Sequence, residues 1–117
     1  MGAIVNFDYT PEFLKSAKIL SKRYRSFADD LRDLRDEIIR NPMAGDDLGK
    51  GIRKLRMAIK SKGKGKRGGA RVIYLTMALD ICMSKVTFLY VYDKSDMSNV
   101  SNAKIKQILS DNGIEIF

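Results

Sequence analysis

Residues 52–60, with the sequence IRKLRMAIK, decide the fold because their side chains alternate along an extended chain. Mostly apolar side chains occupy one side of this segment: Arg53, Leu55, Met57 and Ile59. Mostly basic side chains occupy the other side: Lys54, Arg56, Ala58 and Lys60. The pattern predicts a half-buried strand whose second face is cationic.

Two helices are predicted before this strand, after a short β-prone segment at residues 3–7. Thr10 is a suitable N-cap and Pro11 suits the first helical position, so the first helix begins there. Its apolar stripe has helical spacing: Phe13, Ala17, Leu20 and Tyr24. Ser26 is predicted to cap the second helix, which Asn41 and Pro42 end. The stripe of that helix is Phe27, Leu31, Leu34 and Ile38.

Two further strands are predicted at residues 70–77 and 85–94, with a turn near Asp80 between them. Ser101 is predicted to cap a last helix, which Gly113 ends. Asp46 and Asp47 are interpreted as turn residues and not as metal ligands. The order of elements predicts one α+β domain over residues 1–117. Its N-terminal strand and antiparallel helical hairpin pack on a small, mainly antiparallel sheet, with the helices on one face.

Positive charge is concentrated in one segment. Ten of the 22 Lys and Arg residues lie between residues 50 and 71, and that segment contains no Asp or Glu. The rest of the chain, with twelve basic and fourteen acidic residues, is close to neutral. A concentrated basic block indicates a polyanionic partner, and nucleic acid is the first candidate because neutralised phosphates release counterions.

Several functional classes are excluded by what the sequence lacks. With no histidine and one cysteine, it cannot form an ordinary structural zinc site or a Ser-His or Cys-His catalytic pair. Neither a cofactor nor a metal is expected, and no apolar run is long enough to span a membrane. The single Cys82, in an apolar stretch, is predicted to be buried packing. Without a secretory pattern at the N-terminus, the expected location is the cytoplasm.

The remaining side chains allow attack of an RNA 2′-hydroxyl on the neighbouring phosphate. An arginine can hold the phosphorane because its planar fork matches phosphate oxygens. A lysine can transfer a proton when nearby cations lower its pKa. Lys54, Arg56 and Lys60 are expected on one strand face, with Arg71 reachable from the next strand. Tyr74 or Tyr92 could stack on a base.

The stretch GDDLGKGIRKLRMAIKSKGKGKRGGARVIY, followed by FLYVYDKSDMSNVS, resembles the RelE/HigB-type toxins of bacterial toxin–antitoxin modules. The resemblance is dense over residues 41–101. It implies a fold of the microbial-ribonuclease type and a metal-independent endoribonuclease that cleaves mRNA on the 70S ribosome and so inhibits translation. It also implies a cognate antitoxin as partner, with which a heterotetramer is one possible assembly.

The resemblance also assigns functional residues. The paired basic residues of the family correspond to Lys54 and Arg56, one of which would assist activation of the 2′-hydroxyl. Arg71 would hold the scissile phosphate, and Lys94 would serve the leaving group or the phosphate. The tyrosine that some relatives carry after the last strand has no counterpart, so Tyr92 or Asp93 is a further candidate for the proton network.

The basic loop, residues 61–69, is predicted to be flexible and to bind RNA or the ribosome. Its candidate contacts are Lys62, Lys64, Lys66 and Arg67. Lys60, just before the loop, and Tyr74, in the strand after it, are further candidates. The sequence leaves two other functions open. One is a non-catalytic inhibitor of DNA gyrase on the same fold, as in ParE-type toxins, and the other is a plain RNA-binding module.

Overall fold

The computed structural model describes residues 4–116, in which a five-stranded sheet is combined with three α-helices. The strands are β1 (Ile4–Tyr9), β2 (Asp46–Gly49), β3 (Ile52–Met57), β4 (Ala70–Ala78) and β5 (Met83–Asp93). The helices are α1 (Pro11–Arg23), α2 (Phe27–Arg40) and α3 (Asn102–Asp111), and a short 3₁₀ turn covers Lys60–Lys62. The predicted α+β class is therefore confirmed.

The strands are arranged in the order β1-β5-β4-β3-β2. The β5–β4, β4–β3 and β3–β2 pairs are antiparallel, whereas β1 runs parallel to β5 at one edge. Ala3, the first residue of the predicted N-terminal strand, lies outside the described residues. The edge strand β2 is a correction, since Asp46 and Asp47 were predicted to lie in a turn.

Helices α1 and α2 cover one face of the sheet. Thr10 caps α1 as predicted: its hydroxyl accepts a hydrogen bond from the Phe13 amide and donates one to the Leu89 carbonyl. The predicted stripes of both helices supply the core on this face, where they meet the apolar side of β3. Buried members of this core include Phe13, Leu20, Phe27, Leu34, Ile38, Leu55, Met57 and Ile59.

Helix α3 packs on the opposite face, so the prediction of helices on one face only is wrong. Ser101 caps α3 as expected, by accepting a hydrogen bond from the Lys104 amide. The apolar side of this helix buries a second cluster with the central strands, formed by Ile52, Ile73, Leu75, Leu89, Ile105, Ile108 and Leu109. Strand β4 is buried on both faces because each face has its own helical layer.

The end of β3 and the β4–β5 turn also differ from prediction. β3 stops at Met57, and Lys60 begins the 3₁₀ turn, where its ammonium pairs with Asp33 of α2 at 2.9 Å. Lys60 therefore does not lie on the strand face of Lys54 and Arg56. Cys82 is exposed, not buried, because the apolar segment around it forms the tip between β4 and β5, where Ile81 is 96% exposed.

Candidate nucleic-acid interface

Three basic residues share the sheet face that carries α3. Lys54 and Arg56 are alternate residues of β3, and Arg71 lies directly opposite Arg56 on β4. We call these three residues the basic face. Like charges directly opposite each other in a ladder destabilise a sheet, so an anion that bridges them would be bound favourably.

Arg71 is held tightly and is only 6% exposed. Its guanidinium donates hydrogen bonds to the carbonyl oxygens of Lys66 (3.1 Å), Arg67 (3.0 Å) and Ala70 (3.1 Å). Burial, followed by the nearby Arg56 guanidinium, lowers the pKa of Arg71. A guanidinium has five N–H donors, so two remain for an anion: Nε–H and one Nη2–H.

Lys54 and Lys94 are brought together by the segment that leads into α3. The Lys54 ammonium donates to the side-chain oxygen of Asn99 at 3.3 Å, and the Lys94 ammonium donates to the Ser98 carbonyl at 2.9 Å. Lys94 follows β5, and its amide donates to Gly69 at the end of the basic loop. The structure thus places both lysines beside one short segment at the end of the basic face.

Tyr92 lies directly opposite Arg71 on β5, with its ring stacked on Tyr90 at a centroid distance of 6.5 Å. It is 3% exposed, and its hydroxyl has no hydrogen-bond partner among the described residues. Burial raises the pKa of this phenol, and the Arg71 charge partly opposes that rise. Tyr92 therefore packs beside Arg71 on the same sheet face and is not exposed for stacking on a base.

Asp93 is on the other face of the sheet, away from the basic face. Its carboxylate is fully buried and accepts hydrogen bonds from the Lys62 ammonium (2.6 Å), the Tyr24 hydroxyl (2.5 Å) and the Arg23 guanidinium (2.9 Å). The Ser95 amide adds a fourth at 2.8 Å. Burial alone would raise the pKa of Asp93, but the hydrogen bonds from Lys62, Tyr24 and Ser95 outweigh it and hold this pKa well below its usual range. Asp93, the alternative to Tyr92 as a candidate for the proton network, therefore lies on the sheet face opposite the one that carries Arg71 and Tyr92.

The basic loop is less free than its composition predicts. The Lys62 side chain is only 8% exposed because it is inserted against Asp93. Lys66 lies 3.5 Å from Glu37 of α2. By contrast, Lys64 and Arg67 are exposed, and no acidic side chain within residues 4–116 pairs with either. Of the loop residues predicted to contact RNA, these two are exposed and have no acidic partner among the described residues, whereas Lys66 is exposed but pairs with Glu37.

Tyr74 belongs to the core. It is 0% exposed, and its hydroxyl donates to the carbonyl of Ala44 at 2.7 Å. Burial raises its pKa to about 12. The expectation that Tyr74 stacks on a base is wrong, because its strand position faces α2 and not the basic face.

Two polar residues near the basic face were not predicted from the sequence to lie there. Asp46 of β2 pairs in register with Lys54, and Asn99 receives the hydrogen bond of the same lysine. No local pattern marks Asn99. The alternation around Asp46 could have suggested a short strand, but the glycines on both sides favoured a turn.

Among residues 4–116, Asp, Glu and Cys side chains form no cluster of three that could hold a metal ion. No helix in the described part of the chain is both long and apolar enough to cross a bilayer.

Comparison with known proteins agrees with this architecture. The family model described as the RelE toxin of the RelE / RelB toxin–antitoxin system matches residues 14–112. Among solved structures, an arginine double mutant of the E. coli toxin RelE in the free state is similar, with a TM-score of 0.54 and 16% sequence identity. The match covers 96% of this chain and 98% of that chain. The structural similarity shows the shared fold. The family model spans most of the chain and implies a cognate antitoxin as partner. It shows that this protein belongs to the RelE toxin family of toxin–antitoxin modules.

Proposed function

We propose that this toxin is a metal-independent endoribonuclease that cleaves mRNA on the 70S ribosome in the cytoplasm. The observation that carries the proposal is the basic face, where Lys54, Arg56 and Arg71 lie on two adjacent strands. A plain RNA-binding module needs only exposed charge, and a gyrase inhibitor does not need cations that converge on one phosphate. The match to RelE in fold and family supports the same activity.

The reaction is attack of a 2′-hydroxyl on the adjacent phosphate, with loss of the 5′-oxygen. Arg71 and Arg56 bind the non-bridging oxygens, where negative charge increases in the transition state. The two uncommitted N–H groups of Arg71 match two phosphate oxygens, and the bonds to loop carbonyls hold the guanidinium in place before RNA binds. Pre-organised donors stabilise the transition state without a cost for reorientation during the reaction.

Proton transfer is assigned to the lysines. Lys54 assists activation of the 2′-hydroxyl once its hydrogen bond to the Asn99 side chain has broken, which leaves Asn99 to bond water or the RNA. Lys94, held beside the same segment, serves the leaving 5′-oxygen or its phosphate. Tyr92 packs opposite Arg71 and limits its movement. This set lacks a strong general base, so cleavage is expected to depend on the ribosome to orient the 2′-hydroxyl in line with the phosphate.

The surface beyond the basic face favours the same partner. Lys64 and Arg67 project from the basic loop and are suited to contacts with the phosphates of ribosomal RNA. The cognate antitoxin would neutralise the toxin in a complex, for which a heterotetramer is one arrangement.

The test is induced expression in a bacterium, followed by mapping of new mRNA 5′ ends. We expect growth arrest with cuts inside translated codons, and loss of both in Arg71→Ala. Lys85→Ala is the matched control, because Lys85 lies on β5 far along the strand from Tyr92 and is exposed. Growth arrest with intact mRNA would contradict the proposal and favour the gyrase inhibitor, and no arrest at equal protein levels would favour a plain RNA-binding module.

A further inference from the structure

The ion pair between Lys62 and Asp93 lies on the sheet face opposite the basic face, although both of its residues are attached to the strands and the loop that carry Arg71. Asp93 is the β5 partner of Ala70, which immediately precedes Arg71. Its carboxylate faces the helical layer, where Tyr24 and Arg23 also reach it. Asp93 therefore cannot touch an RNA phosphate bound at Arg71, and a role in the reaction would have to be indirect.

The basic loop has few contacts that define its shape. Gly63 and Gly65 have φ angles of +74° and +62°, in a region where glycine is favoured. The hydrogen bonds inside the loop are long, at 3.3 Å from Gly68 to Lys64 and 3.4 Å from Gly69 to Lys66. The shape of the loop therefore depends mainly on its contacts with the rest of the fold.

Two of the contacts that attach the loop involve the end of β5. The loop is also attached to α2, where Ser61 bonds Ser26 and Lys66 pairs with Glu37. At the start of the loop, Lys62 bonds Asp93 at 2.6 Å and the Ser95 hydroxyl at 2.7 Å. At its end, the Gly69 carbonyl accepts from the Lys94 amide at 3.0 Å. Gly69 also passes so close to β3 that an added Cβ would lie 2.0 Å from the Met57 carbonyl oxygen. The end of β5 thus holds the loop at two points.

The loop in turn orients Arg71. Two of the three carbonyls that the guanidinium contacts belong to loop residues, Lys66 and Arg67. A shift of the loop would remove these acceptors and leave the Arg71 side chain free to rotate. Ala70, the remaining partner, is a neighbour in the chain and constrains the guanidinium less.

We infer that Lys62 and Asp93 are positioning residues for the proposed nuclease: their buried ion pair fixes the basic loop, whose carbonyls hold the Arg71 guanidinium ready for phosphate. This inference rests on the proposed function for its catalytic consequence, although the positioning itself can be measured without activity. It assigns to Lys62 a role different from that of the other loop lysines, which face solvent or α2.

The first test is NMR of the Arg71 side chain in the intact protein, with resonances assigned by loss of signal in Arg71→Lys. In the wild type we expect separate, slowly exchanging Nη–H signals, because these protons bond carbonyl oxygens. Lys62→Met should merge them into the averaged signal of a freely rotating arginine, and Lys62→Arg should restore them. Lys64→Met is the matched control on the same loop and should leave them unchanged.

The second test is single-turnover cleavage of mRNA on programmed ribosomes. Lys62→Met should lower the maximal rate at least tenfold while the half-saturating toxin concentration changes less than threefold. The double variant Lys62→Met/Arg71→Ala should be no slower than Arg71→Ala alone, since both changes remove the same function. Lys64→Met should alter the half-saturating concentration and not the maximal rate.

Unchanged Arg71 signals in Lys62→Met would overturn the inference, whatever the activity. So would a rate loss that adds fully to that of Arg71→Ala. If Lys62→Met fails to fold, the isosteric Asp93→Asn is measured in the same way, with the same expected merging of signals. A wild-type protein that does not cleave mRNA would refute the proposed function alone, because the NMR result still decides the positioning.

Discussion

Replacement of Arg71 separates its contribution to stability from its contribution to catalysis. Arg71→Ala removes three hydrogen bonds from the guanidinium to carbonyl oxygens. Two of those carbonyls belong to exposed loop residues and can be hydrated after the change. We therefore expect a loss of about 1–2 kcal/mol in the free energy of unfolding, which lowers the melting temperature by roughly 4–8 °C.

The catalytic effect should be much larger. Arg71 has two uncommitted N–H groups, so its removal deletes a bidentate contact to the charge that develops on the phosphate. Loss of one pre-organised donor of this kind reduces rates about 100- to 1,000-fold. Arg71→Lys keeps the charge, but a compact ammonium cannot bond the loop carbonyls and two phosphate oxygens together. We expect it to recover less than about one tenth of the wild-type rate.

The assay is thermal unfolding by circular dichroism, with single-turnover cleavage on mRNA-programmed ribosomes at 25 °C. Lys85→Ala is the matched control, because it removes an exposed basic side chain of β5 that belongs neither to the basic face nor to the basic loop. A folded Arg71→Ala protein that cleaves within threefold of the wild-type rate would refute the assignment of the phosphate site.

Further predictions follow from the buried residues and the loop. Tyr74→Phe should lower the free energy of unfolding by about 1 kcal/mol, because one buried hydrogen bond is lost. Toxicity in cells should stay unchanged, and a loss of toxicity in a folded variant would contradict the placement of Tyr74 in the core. The depressed pKa of Asp93 stabilises the folded protein above the ordinary aspartate pKa of about 3.9, and this stabilisation is lost as the pH falls below it. Urea unfolding between pH 6 and pH 2 should therefore show that the free energy of unfolding falls more steeply with pH for the wild type than for Asp93→Asn. Parallel pH dependences in the two proteins would be evidence against the buried carboxylate. Changing both Lys64 and Arg67 to Ala should reduce the salt dependence of ribosome binding by a log–log slope of about 1.4, whereas Lys62→Ala should leave the slope within error.

The sequence predicted the elements around the basic face because their patterns are local. Alternation in residues 52–57 requires an extended strand with one apolar side, and the structure confirms it. The caps at Thr10 and Ser101 depend only on neighbouring backbone groups, so they were also predicted correctly.

The errors concern partners that are distant in the sequence. An amphipathic pattern shows that α3 has an apolar side, but not which face of the sheet receives it. One signal was available, since the continuous apolar run from Val72 to Leu75 is typical of a strand buried on both faces. Cys82 was misplaced for the same reason: an apolar segment at a strand tip has no covering layer.

By itself, the sequence determined the α+β class, the concentration of positive charge and the presence of Lys54, Arg56 and Arg71 on strands that could be neighbours. Only the tertiary structure decided which charges are free. Lys62 and Asp93, both candidates for the functional site, neutralise each other within the fold, since a buried charge requires a partner. Arg71 instead bonds neutral carbonyls and keeps both its charge and two donors, because the strands and the loop approach one another only in the folded chain.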